Sequence, residues 1–415
     1  MSTHEQNITS MNIKVLPQAD SGRQISSVSL FQDKLFVGLT WPADQQPVST
    51  ATMLRLEMDA GAYNDVAGSE LSEQGAADSN IFWQMGCHAM TVFSRKTDTS
   101  PVLYASLLTP SGCKLSMTRD GEKLEALPLI DDNVLVRSMV AFNGRLFAAT
   151  YNAERLPVVY CNADPVADKW ERASEPGFAD AGNISITSMA EFNGSLYVAL
   201  LNPTGGFQLW RTTADGNAPY SWKQVISQGA HRYTQNPAVT SMAEFNGALY
   251  IGTGLHGAAA DFSEGDYAAA ELIQVFPDDS WEIIVGSPRF SPVGLKVPMA
   301  AMGPGFDNRK NTAITAMAAN KGRLYAAANG TGHVNSSYCL WSTADGEEWL
   351  TVSTGDPESS NALTVRAMIT TPENLLLATS ESGHYDLFTD AAIKSKYERS
   401  TKEPSLLRFA KKLFT

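Results

Sequence analysis

The chain has 415 residues and a formal net charge of −13, with 43% hydrophobic and 18% charged residues. That is enough apolar material for a packed core and too little charge for a disordered chain. The acidic balance argues against nucleic acid, which selects a basic stripe, and no run approaches the 18 apolar residues of a spanning helix.

The N-terminus, MSTHEQNITSMNIKV, has no apolar core of signal-peptide length, so a cytoplasmic protein without a transmembrane segment is expected. Cys87, Cys113, Cys161 and Cys339 are scattered, which predicts reduced, buried thiols rather than a disulfide or zinc framework. An isolated strand, MNIKVLP, precedes everything that follows.

From there the chain repeats itself. ITSMAEFNGSLYVAL (186–200) returns as VTSMAEFNGALYIGT (239–253). Taking the Met of SMAEF as marker, the aligned positions are Val28, Met90, Met139, Met189, Met242, Met317 and Met368, spaced 62, 49, 50, 53, 75 and 51 apart. A period near fifty with strand-like content predicts an all-β, seven-bladed β-propeller, one four-stranded blade per unit. Within one unit, ITSMAEF stops at Asn193-Gly194, a type I′ turn signal, and SLYVALL, FQLWRTT and SWKQVIS follow as strands. The last unit never reaches a Trp-bearing fourth strand. Met11 to Leu16 is therefore expected to complete it, closing the ring through the N-terminal strand. Residues 1–392 form the propeller domain in this reading. Residues 393–415 are a basic tail, with a short amphipathic helix after Pro404 that packs on the acidic propeller or docks an acidic partner or membrane surface.

Three columns read as core: the Met markers, the Phe column (Phe31, Phe93, Phe142, Phe192, Phe245) and the Tyr/Phe column (Phe36, Tyr104, Phe147, Tyr197, Tyr250, Tyr325). Asn133, Asn183, Asn236 and Asn311 stand six before the marker and read as loop caps. Glu191 and Glu244, two after the marker, would make an acidic spot in the channel or lie solvated.

The units resemble bacterial propellers with sialidase-type, Asp-box-like turns. STADGEEW keeps Ser342, Asp345, Gly346 and Trp349, and SMTRDGEKL keeps Ser116, Asp120 and Gly121. The repeat style is also similar to the propeller domains of cyanobacterial alkylating enzymes of natural-product pathways. That resemblance implies an alkylating or cyclising enzyme of specialised metabolism, without the calcium-binding domain those enzymes carry.

Function is expected where the copies differ. The residue two before the marker reads Ser26, His88, Arg137, Thr187, Thr240, Thr315 and Arg366. Against the hydroxyl consensus, Arg137 and Arg366 are candidates to hold an anion and His88 to move a proton, unless the arginines bond loop carbonyls. His256, His333 and His384 follow the second strands of three successive units and are candidate ligand contacts; no metal site and no cofactor are expected. The long fifth unit carries insertions at 258–270 and 287–311, candidates for a lid or for docking a protein, with Phe290 and Phe306 covering a greasy ligand. The sequence thus points to a small-molecule ligand at the channel mouth; a non-catalytic protein scaffold and a lectin-like binder are the alternatives.

Overall fold

The structure is a computed structural model and describes residues 12–13, 24–40, 53–57, 62–66, 86–109, 112–131, 134–152, 154–167, 169–255, 269–330, 338–354, 364–370, 375–381 and 384–389. The chain is nearly all β. Successive antiparallel meanders each begin on a long strand: Gln24–Phe31, Gly86–Phe93, Leu135–Phe142, Ser185–Phe192, Ala238–Phe245, Ala313–Asn320 and Thr364–Thr370. In the third meander this strand pairs with Arg145–Tyr151, then Val159–Asn162, then Glu171–Arg172, and the other meanders follow the same order. The last ends at His384–Thr389, where the N-terminal strand Asn12–Ile13 pairs as its fourth member, opposite Phe388 and Leu387. First strands of successive meanders lie side by side, and Gln24–Phe31 also lies against Thr364–Thr370.

The meanders have no core of their own; the core lies between them. Each apolar cluster draws on two neighbours, such as Phe142, Phe147 and Val159 with Ile186, Leu196 and Val198. The Phe and Tyr/Phe columns meet ring to ring within the first five meanders, at 5.9 Å for Phe31–Phe36, 5.9 Å for Phe93–Tyr104, 6.0 Å for Phe142–Phe147, 5.8 Å for Phe192–Tyr197 and 6.1 Å for Phe245–Tyr250. Each such buried ring contributes roughly 1.5–3 kcal/mol by leaving water. Of the Met markers, Met139, Met189 and Met317 are buried and the rest described are partly so.

At one end of the strands the turns are regular. Asn143-Gly144, Asn193-Gly194, Asn246-Gly247 and Lys321-Gly322 all take positive φ at both positions, as a type I′ turn requires. The turns between third and fourth strands differ from the expected Ser-Asp-Gly order. The working hydroxyl belongs to Thr343 and Thr118, which accept from Gly346 N at 2.8 Å and Gly121 N at 2.9 Å. Asp345 Oδ1 accepts from Glu347 N and Glu348 N at 2.9 Å each. Ser342 instead accepts from Arg323 Nη2 at 2.9 Å, because its side chain alternates to the other face of the strand. Gly346, at φ 88°, is held to glycine because a Cβ would overlap the Tyr250 hydroxyl.

All four cysteines are free thiols, but only Cys87 and Cys161 are buried; Cys113 and Cys339 are half-buried. Residues 390–415, and so the expected tail helix, lie outside the described residues, as do 258–268 of the first insertion. No described helix is long and apolar enough to cross a membrane.

Candidate functional site

At the other end of the strands every long first strand carries a β-bulge. Pairing with the second strand slips between Ile25 and Ser27, Cys87 and Ala89, Val136 and Ser138, Ile186 and Ser188, Val239 and Ser241, Ile314 and Ala316, and Val365 and Ala367. The residue left out of the ladder is in each case the one two before the marker. Ser26, His88, Arg137, Thr187, Thr240, Thr315 and Arg366 are therefore one structural column. A bulge frees its residue from pairing and re-aims the side chain, which is why such positions recur beside functional sites.

The consensus hydroxyls use that freedom to tie meanders together. Thr240 Oγ1 donates to Ile314 O of the next meander at 2.7 Å, Thr315 Oγ1 to Val365 O at 2.5 Å, and Ser26 Oγ to Cys87 O. Thr187 Oγ1 stays in its own meander, on Ala199 O at 3.4 Å. At His88, Arg137 and Arg366 this short hydroxyl is replaced by a long side chain. Arg137 lies 5.1 Å from the centroid of the Tyr151 ring, a cation–π contact. Burial draws its guanidinium pKa down, and Tyr151 opposes that shift. His88 is half-buried and Arg366 exposed. Their strands place His88 and Arg137 in adjacent meanders; the strand of Arg366 lies on the other side of Gln24–Phe31, two meanders from His88 and three from Arg137.

The other expected contacts separate. His256 and His333 lie outside the described residues; His384 opens the strand His384–Thr389, with its backbone opposite Glu381. Phe290 is 79% exposed, whereas Phe306 is 3% exposed, stacked at 4.8 Å on Trp341 and edge-on to Trp349 at 5.4 Å. Phe306 is thus a core plug. It sits in a left-handed loop that occurs three times among the described residues: Gly177-Phe178-Ala179, Gly229-Ala230-His231 and Gly305-Phe306-Asp307 all have positive φ. Each loop is closed by the asparagine before the marker, Asn183 to Gly177 O at 2.9 Å, Asn236 to Gly229 O at 3.2 Å and Asn311 to Gly305 O at 2.9 Å. Non-glycine residues there cost about 1–2 kcal/mol apiece, which the buried ring and the asparagine bond offset. Phe178 plugs the fourth meander as Phe306 plugs the sixth, 5.5 Å from Trp210 and 5.0 Å from Trp222. The recurring Pro-Gly-Phe, five residues before the loop asparagine, was the sequence signal for this role.

Where the middle loop carries Ala230, a buried charge cluster stands nearby. Glu271, fully buried, accepts from Arg289 Nη1 and Nη2 at 2.9 Å each, from Asn236 Nδ2 at 2.9 Å and from Ser287 N at 2.8 Å. Arg289 Nε donates to Ala230 O at 2.6 Å. This anchors the hairpin Arg289–Ser291/Gly294–Lys296 of the second insertion, whose far side is fixed by Lys296 on Trp281 O at 2.6 Å and Glu282 at 2.8 Å. The hairpin turns Phe290, Val293 and Leu295 to solvent, at 79%, 84% and 59% exposure.

No protein-family model and no curated protein sequence matches the chain. Its fold is similar to solved structures. A catalytically inactive virginiamycin B lyase from Staphylococcus aureus, solved with quinupristin, aligns at TM-score 0.55 and 10% identity over 92% of this chain and 98% of that one. A chain of a mitotic checkpoint complex aligns at TM-score 0.50 and 10% identity over 96% and 98%. Both are β-propeller-like, and so, in fold, is this protein.

Proposed function

We propose that the meanders are the blades of one seven-bladed ring, completed by the N-terminal strand, and that its mouth binds a small anionic organic molecule. The pairing of Asn12–Ile13 with the last meander and the packing of Gln24–Phe31 against Thr364–Thr370 support closure. The observation that carries the ligand reading is the bulge column. Four of its members spend a hydroxyl on backbone carbonyls, three of them reaching the next meander, and three carry cationic or titratable groups instead. Arg137 and Arg366 would hold a carboxylate or phosphate by charge-assisted bonds, and His88, beside Arg137 in the column, would exchange a proton with it. A protein of similar fold solved with quinupristin supports an organic occupant. An enzyme of specialised metabolism, of the alkylating or cyclising type and working in the cytoplasm, is the form of this reading we favour.

The test is a thermal-shift screen of aliphatic carboxylates and phosphates against the protein and its Arg137→Gln/Arg366→Gln variant. Hits should raise the melting temperature of the first and leave the second unmoved. Equal shifts in both would refute the column as the site.

A second reading, a non-catalytic protein scaffold, is favoured by one feature. The hairpin presenting Phe290, Val293 and Leu295 is held rigidly and faces solvent, as a docking element would. It predicts that Phe290→Ser/Leu295→Ser abolishes the biological role while Arg137→Gln does not.

A further inference from the structure

Pairing register makes Tyr160, Trp210 and Trp341 equivalent: they stand opposite Ala148, Val198 and Ala326, each nine residues past its Met marker. Over Trp210 lies Phe178 and over Trp341 lies Phe306, each from the loop leading into that meander. The loop leading into the third meander reads Pro-Leu-Ile-Asp-Asp-Asn at 128–133, with no Gly-Phe to offer. Above Tyr160 there is instead a cleft of about 170 Å³, lined by Val134, Leu156 and Val158 on its apolar side and by Asp131, Arg155 and Arg172 on its polar side.

The polar groups are tied in a chain. Tyr160 Oη donates to Asp131 Oδ2 at 3.2 Å, and Arg155 Nη1 lies 3.5 Å from the same oxygen. Arg172 stands opposite Tyr160 on the neighbouring strand, and the Tyr160 hydroxyl beside its guanidinium raises the pKa of that group. Among the residues lining the cleft, two guanidiniums stand against one carboxylate, an excess of one positive charge at its wall, while Glu175 acts on Arg172 from outside the lining.

We infer that this cleft binds a planar aromatic monoanion, its ring taking the place over Tyr160 that Phe178 and Phe306 take over their tryptophans, its charge lying between Arg155 and Arg172. Three features select this class. The slot is of the kind that a ring fills elsewhere in the same molecule, and an aromatic floor favours offset or edge contacts at 4.5–7 Å. The apolar wall rejects a polyol. The surplus positive charge favours one negative charge, and the fork geometry of arginine matches a carboxylate. The site is separate from the bulge column and does not depend on it.

Benzoate is the probe, followed by titration calorimetry and ligand-observed NMR on the full chain. Saturable binding is expected, weakened about tenfold for benzyl alcohol, which keeps the ring and drops the charge. Arg155→Ala/Arg172→Ala should weaken benzoate by a similar factor with unchanged melting. Val134→Phe, which puts a ring into the slot from the loop side, should abolish binding and retain the fold. Arg137→Gln/Arg366→Gln should leave it intact. Absence of saturable binding overturns the inference, as does equal binding by the Arg155/Arg172 variant. Loss of binding only in the Arg137/Arg366 variant also overturns it, and leaves the column reading standing.

Discussion

The two ends of the strands are built differently from the same repeat. At the turn end the same devices recur: paired positive-φ turns in the third to sixth meanders, and Thr-x-Asp-Gly turns in the second and sixth, where threonine and aspartate accept backbone amides. At the loop end each strand breaks its ladder at one residue, and the loops above differ in what they plug, with Phe178, Ala230 or Phe306. One end is fixed by local geometry that tolerates little variety. The other satisfies the same spacing with rings, ion pairs or an open cleft, and it is there that binding chemistry can be varied without disturbing the ring.

The largest effect should come from unpairing a buried charge at the loop end. Arg232→Ala/Arg289→Ala would strip Glu271 of both its cations, the bidentate Arg289 and Arg232 at 3.6 Å, and cost about 3–5 kcal/mol, read as a drop in the denaturant midpoint. Next is a contrast between two phenylalanines of one insertion. Phe306→Ala should destabilise by about 3–5 kcal/mol, whereas Phe290→Ala should stay within about 0.5 kcal/mol. If the two melted alike, the division between plug and surface would fail.

The turn end should respond to acid. The Arg95 guanidinium, bonded to Asp98 at 2.7 Å, holds that buried carboxyl well below the usual carboxylate range. A depressed pKa means that this stability is complete above the unfolded value of about 3.9 and is lost as pH falls toward the folded value. Melting temperature should therefore be level at neutral pH and fall below about pH 4, and Asp98→Asn should lower the level and flatten the fall. A smaller loss is expected at the bulge lock: Thr240→Val removes one hydroxyl bond to Ile314 O and should cost about 1 kcal/mol, seen as a small shift in urea midpoint with unchanged slope.

The turn end was legible in the sequence because a positive φ demands particular residues where it occurs, so Asn193-Gly194 and its relatives announce themselves. The core columns were legible for a similar reason, since a fifty-residue period keeps Phe192 and Phe245 in register. The bulge was hidden. A slip in pairing leaves no mark on composition, so the column of Ser26, His88 and Arg137 could be aligned without revealing that its members stand outside the ladder. Phe306 misled for a different reason. An aromatic residue in a long insertion reads as a lid until its match to Phe178, five residues before the loop asparagine, is seen. The cleft over Tyr160 depends on a ring that is missing, and absence of a plug in 128–133 has meaning only once the plugs elsewhere are located.

A residue that has already left the ladder has no pairing to lose when it is exchanged. Swapping threonine for arginine inside a regular strand would disturb two neighbours and a shared face; at the slipped position it disturbs one hydroxyl contact. The same scaffold can thus carry a charged or titratable group in place of a hydroxyl, one copy at a time, while the hydroxyls of Ser26, Thr240 and Thr315 still tie their meanders to the next.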